Sequence, residues 1–332
     1  MEDLSKFEVR TDLALEAQEI AGRAYGGKIP GVDSQRVEDN GIIVTRMNIV
    51  TEEGARIVGK QIGHYVTIEV PGLRKKDSDL QNRVATTLAR EFESFLRTAG
   101  IDSNAKTLII GLGNWNVTPD SLGPLVVENL LVTRHLFELM PDRVSPGYRQ
   151  VSALAPGVLG ITGIETSEIV QAVVEKTHPD LVIAVDALAS KALQRVNTTI
   201  QIADTGVHPG SGIGNKRKGL TKEVLGVPVI AIGVPTVVFA STIVNSIFDM
   251  LIRHFKQQTN NTQYIFGALE SMTEEERLGM VREVLAPMGQ DLLVTPKEVD
   301  EFIEDIANII ANGLNAALHE AIDMENVSAY TH

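Results

Sequence analysis

The chain has 332 residues, 43% of them hydrophobic, a formal net charge of −13 and no cysteine. That length exceeds the ~100–200 residues of an ordinary domain and is ample for a buried core. Disulfides, thiolate nucleophiles and cysteine-ligated zinc are excluded. The acidic balance argues against direct nucleic-acid binding, which needs clustered Lys and Arg, and no apolar run reaches the ~18 residues of a membrane span. The opening Met1-Glu2-Asp3 carries acid where a secretory signal carries base, so a cytoplasmic protein is expected.

In chain order, residues 41–50 and 64–70 are rich in Ile, Val and Thr and read as strands, the second ended by Pro71-Gly72. A helix is predicted from about Asp77 to Ala99. Leu80, Val84, Leu88, Phe92, Phe95 and Leu96 keep helical spacing, Asp77 or Ser78 caps the start and Gly100 is a natural stop. Four continuous apolar runs follow, Thr107–Gly111, Leu181–Val185, Thr198–Ala203 and Val227–Ile232, with helical stretches at Leu122–Met140, Ser167–His178 and Val237–Phe255. Continuous apolar strands separated by helices imply parallel pairing with both faces covered. The expected fold is α/β, a three-layer, mainly parallel sheet with flanking helices over 101–256. An N-terminal β segment and helix (13–100) precede it, and C-terminal helices at Thr273–Ala286 and Pro296–Ala317 (within 257–332) follow. One compact domain is expected overall.

Ligands of open α/β sheets bind outside the carboxyl ends of the strands, which selects three loops. Gly111-Leu112-Gly113-Asn114-Trp115-Asn116-Val117-Thr118-Pro119-Asp120-Ser121 leaves a strand and enters a helix; Asp120 is a reactive carboxylate or, equally, a helix cap. Trp115 lines a cleft or packs in the core. Asp186 follows five apolar residues at the expected end of a buried strand, where a carboxylate is costly unless paired or hydrogen-bonded. Thr205, Gly206, His208 and Gly210 belong to a glycine-rich loop that either shapes a cleft or is simply solvated. Dinucleotide, Walker, H-E-x-x-H and G-x-S-x-G signatures are missing.

Val9–Glu16 (VRTDLALE), Gly111–Gly123 (GLGNWNVTPDSLG), Ser152–Thr166 (SALAPGVLGITGIET), Asp186–Leu188 (DAL) and Arg195–Arg217 (RVNTTIQIADTGVHPGSGIGNKR) resemble the germination protease family of spore-forming bacteria. The resemblance runs from about residue 7 to 255 and weakens over the tail. It implies an endopeptidase that cleaves small acid-soluble spore proteins during germination in the spore core, a homotetramer made as a zymogen, and a fold similar to hydrogenase maturation proteases (phosphorylase/hydrolase-like). It also implies an atypical aspartic mechanism with Asp120 and Asp186 as the catalytic pair, no cofactor and no metal. Gly111, Gly113, Asn114, Thr205, Gly206, His208 and Gly210 are the supporting cleft candidates. The family's substrates are cut after an acidic residue followed by a hydrophobic one. Asp12-Leu13 fits this, so residues 1–12 are expected to be a propeptide. Two other readings stay open: a metal-dependent hydrolase using Asp120, Asp186 and His208, and a non-enzymatic module whose glycine-rich loops grip an anion.

Overall fold

Asn40 and Gly41, both at positive φ, turn the chain tightly between strands β1 (Val32–Asp39) and β2 (Ile42–Ile49). This computed structural model describes residues 11–207, 218–257, 273, 276, 279, 280, 283 and 291–322. Strand β1 carries no strand signal in its sequence because VDSQRVED is polar; it lies exposed at the sheet edge, where its pairing with β2 holds it. Strand β3 (Gly63–Glu69) pairs antiparallel with β2.

The remaining strands are β4 (Thr107–Gly111), β5 (Val151–Leu154), β6 (Leu181–Ser190), β7 (Thr199–Ala203), β8 (Val229–Phe239) and β9 (Leu293–Val294). They form one sheet in the order β1-β2-β3-β7-β8-β6-β4-β5, with β9 beside the end of β8. The fold is thus a mixed α/β sheet whose central block β5-β4-β6-β8 is parallel. Strand β7, one of the four apolar runs, is antiparallel to both β3 and β8. Only a short segment with a 3-10 turn at Leu193–Arg195 joins it to β6, too little chain for the crossover that a parallel return needs.

Helices cover both faces. Helices α1 (Ala14–Tyr25) and α2 (Glu52–Val58) lie over the antiparallel end, packing Ala14 and Val58 with Met47, Ile49, Tyr65 and Ala203. Helix α3 (Ser78–Thr98) starts on Asp77, whose side chain accepts from the N–H groups of Asp79 and Leu80. It buries Val84, Leu88 and Phe92 on the opposite face of the sheet. Each such side chain contributes about 1.5–3 kcal/mol by leaving water.

The expected helix at Leu122–Met140 is two, α4 (Leu122–Glu128) and α5 (Arg134–Leu139). Between them the chain peels off to bond β5: Thr133 N–H donates to Val151 O at 2.9 Å, and Val151 N–H donates to Thr133 Oγ1 at 2.9 Å. Helices α6 (Leu159–Thr162), α7 (Thr166–Thr177) and α8 (Lys222–Leu225) follow; Val170 and Val174 of α7 and Leu225 of α8 pack with Leu108, Val182 and Ala184. Strand β8 runs through Val237–Phe239, so helix α9 begins only at Ala240 and ends at Gln257. Helix α10 (Val299–Leu318) packs with α3 and α4. The expected helix at Thr273–Ala286 falls mostly outside the described residues. Among the described residues no helix is long and apolar enough to cross a membrane.

Candidate active site

Successive side chains of a strand point to opposite faces. Val182 and Ala184 of β6 face α7 and α8, so Asp186 faces the same side. Strand β6 does not end there as expected; it continues to Ser190. What ends is its neighbour. Gly111, the last residue of β4, lies opposite Val185, and the next N–H, that of Leu112, donates to Val185 O at 2.8 Å. Asp186 is therefore the first residue of β6 beyond its pairing with β4. On its other side it lies opposite Gly233 of β8, which in turn lies opposite Gln201 of β7.

Asp186 is 8% exposed. Its Oδ1 accepts the N–H of Ala187 at 3.0 Å. Burial pushes its pKa well above the usual carboxylate range; the charges of Asp120 and then Asp12 push it the same way, and the Ala187 N–H opposes them. Asp120 reaches this neighbourhood from a 3-10 turn, Thr118–Asp120. The turn folds back onto Gly113, whose φ is +117° and where an added Cβ would lie 1.9 Å from Asp120 O. Only glycine suits that backbone and that approach. Asn114 N–H donates to Asp120 O at 2.9 Å, and Thr236 Oγ1 of β8 donates to Pro119 O at 2.6 Å, which fixes the turn to the sheet.

A cavity of about 330 Å³ opens over this face. Asp12, Lys60, Asp186, Gln201, Thr205 and Gly206 are among its lining residues. The chain ahead of α1 runs into it. Asp12 N–H donates to Ala189 O at 2.9 Å, and Ala189 N–H donates to the Asp12 carboxylate at 2.8 Å. Lys60 Nζ donates to the main-chain oxygens of Asp12 at 2.9 Å and Thr11 at 3.4 Å. Burial pulls the Lys60 ammonium's proton affinity down, while the charges of Asp12 and Glu16 raise it. Leu13 is fully buried, and Ala14 N–H donates to Gln201 Oε1 at 2.6 Å. Glu16 accepts the N–H groups of Lys191 at 2.6 Å and Ala192 at 2.9 Å, and also the Thr11 hydroxyl. Arg195 closes this corner, 3.4 Å from Glu16, 2.7 Å from Glu19 and 2.9 Å from Glu69.

Of the sequence candidates, Asp120 and Asp186 come within electrostatic reach of each other, and Asp12, Thr205 and Gly206 share the cavity with Asp186. Gly111 presses on α4, where an added Cβ would meet Gly123 O at 2.2 Å. Trp115, 48% exposed, is not a core residue. His208 and Gly210 lie outside the described residues, so the Asp120, Asp186 and His208 set has no described geometry. Lys60 is a site residue that the sequence does not announce. It follows a helix-ending glycine, an ordinary surface pattern, and only the tertiary fold brings it to Asp12.

A family model described as Germination protease matches residues 9–264 and 256–331. Germination proteases of Bacillus cereus (strain G9842) and Bacillus pumilus (strain SAFR-032) are each 49% identical to this chain, over 99% of it and over 99% and 98% of their own lengths respectively. A solved structure of the NiFe hydrogenase maturation protease HycI from Thermococcus kodakarensis KOD1 aligns at a TM-score of 0.31 and 20% identity, covering 63% of this chain and 92% of that one.

Proposed function

The chain belongs to the germination protease family, and from that membership we propose that it is an endopeptidase that opens small acid-soluble spore proteins during germination. In this reading Asp120 and Asp186 are its catalytic pair, and residues 1–12 are a propeptide that the enzyme removes itself. The observation that carries the aspartic assignment is Asp186: a buried carboxyl whose proton is favoured by burial and by a second carboxylate, Asp120. Paired carboxylates that hold unequal protons supply an acid and a base at one pH.

In this reading Asp186, whose proton burial and the charge of Asp120 favour, is the acid, and Asp120 is the base. Asp120 takes a proton from water as the water oxygen bonds to the peptide carbonyl carbon. Asp186 gives its proton to the leaving amine as the C–N bond breaks. The proton gained by Asp120 then returns to Asp186, and the pair is reset. Asp12 already lines the cavity beside Asp186, with the buried Leu13 next in the chain, which supports the proposed cut between them.

The test uses enzyme expressed from Leu13, so that self-processing is not required. Wild type, Asp120→Asn and Asp186→Asn are incubated with a purified small acid-soluble spore protein, with and without chelator. The expected result is cleavage by wild type regardless of chelator, and a loss of about 10²–10⁴-fold in each folded variant. Normal cleavage by either variant rejects the pair; chelator-sensitive cleavage restored by metal favours the metal-dependent reading. Separately, full-length chain after mildly acidic incubation should show an N-terminus at Leu13, and any other start refutes the propeptide boundary.

A further inference from the structure

We propose that Lys60 is a further catalytic residue, an ammonium that holds the oxygen of the carbonyl being attacked; this rests on the reading of Asp12–Leu13 as a bond this enzyme cuts. Under that reading the N-terminal segment lies in the site as an intramolecular substrate, and the carbonyl of Asp12 is the one that water attacks. Lys60 Nζ donates to that oxygen at 2.9 Å.

The placement is built by the local fold. Helix α2 ends on Gly59, in the left-handed conformation with φ 72°. Its N–H donates to Ala55 O at 2.8 Å, and the N–H of Lys60 donates to the same oxygen at 3.2 Å. This Schellman-type ending fixes the backbone from which Lys60 extends. The ammonium shares the cavity with Asp186. The substrate side is fixed too, because Asp12 exchanges two hydrogen bonds with Ala189. Two nearby main-chain donors are engaged elsewhere: Leu112 N–H donates to Val185 O and Asn114 N–H to Asp120 O.

As the water oxygen bonds to the carbonyl carbon, the carbonyl π electrons move onto oxygen, and Asp120 takes the water proton. The oxyanion forms against the Lys60 N–H. When the C–N bond breaks, the carbonyl re-forms and the amine takes the Asp186 proton. Lys60 keeps its own proton throughout. A fixed donor whose hydrogen bond strengthens as charge develops on the oxygen lowers the barrier more than it strengthens ground-state binding. Burial works against that ammonium, and Asp12 and Glu16 work for it.

The rival role is a latch, in which Lys60 only secures residues 11 and 12. The two separate in enzyme that starts at Leu13, where the latch has nothing to hold. The probe is a synthetic peptide copying residues 7–18, cut between its Asp and Leu. Lys60→Met, Lys60→Gln and Lys60→Arg are compared with wild type, and thermal melts verify folding. We expect kcat to fall about 10²–10³-fold in Lys60→Met with a much smaller change in KM, less in Lys60→Gln, and least in Lys60→Arg. A kcat within about threefold of wild type in either folded neutral variant overturns the catalytic role and leaves the latch. Asp120→Asn and Asp186→Asn run alongside. If they cut normally, or wild type does not cut this bond, the underlying reading fails and the Lys60 assignment falls with it. If they are dead while Lys60→Met or Lys60→Gln keeps its kcat, only the assignment fails.

Discussion

Two groups of carboxylates sit on either side of the N-terminal segment, and they are built on opposite principles. At one, Glu16, Glu19 and Glu69 converge on the single guanidinium of Arg195. Burial alone would weaken that cation's hold on its proton, but Glu19 and Glu69 more than offset it, so it holds the proton more tightly than usual. At the other, Asp186 is buried with Asp120 and Asp12 as the neighbours that act on it, and both are acidic. A cation turns a cluster of acids into a fixed joint. Acids whose charges act mainly on one another favour a proton among them, and a proton so held can be moved.

The contrast is most severely tested at Arg195. Arg195→Leu leaves the buried Glu16 and the largely enclosed Glu69 without their cation and should cost about 3–5 kcal/mol of folding stability, read by chemical denaturation. A loss below about 1 kcal/mol would mean that the joint is solvated and the comparison is wrong. Asp186→Asn should go the other way, on the ~1 kcal/mol scale of an ordinary substitution. The folded pKa of Asp186 is raised above its unfolded value, so its contribution to stability is full below the ordinary carboxylate value of about 3.9 and is lost as pH rises through the folded value. Denaturation across pH 4 to 8 should show the Asn variant gaining on wild type as pH rises; parallel curves would place a charged Asp186 in the folded protein at every pH. The smallest effect belongs to Glu19→Gln. Glu19 is the most exposed of the three partners of Arg195, and its loss should cost at most about 1 kcal/mol, screened further by salt.

Elements with strong local signals are legible in the amino-acid sequence itself. The Asp77 cap and the apolar stripe from Leu80 to Leu96 define helix α3 nearly to its ends, and the buried runs mark the central strands. The differences have local causes. Apolar runs stop at polar residues, whereas hydrogen-bonded ladders do not, so β6 passes through Asp186 to Ser190 and β8 passes through Gly233 and Pro235 to Phe239. The break between α4 and α5 depends on a partner, β5, that lies far along the chain. Asp186 stands out by the cost of placing an acid after five apolar residues. Lys60 and Ala189 carry no such mark, since one follows a helix stop and the other lies in an apolar stretch; their meeting with Asp12 belongs to the tertiary fold alone.

Leu13 is fully buried, and its N–H donates to Thr11 Oγ1 at 3.1 Å. A cut in front of it would turn that amide into a free amine, which takes up a proton near pH 8. The same cut would release Asp12. One hydrolysis would thus exchange an anion for a cation at the rim of the cavity, and the Asp186→Asn comparison would shift with pH between full-length and shortened chains. The altered charge is a written record: the protein would carry, in its own electrostatics, the fact that it had once been opened, and no return of the loose peptide would erase it.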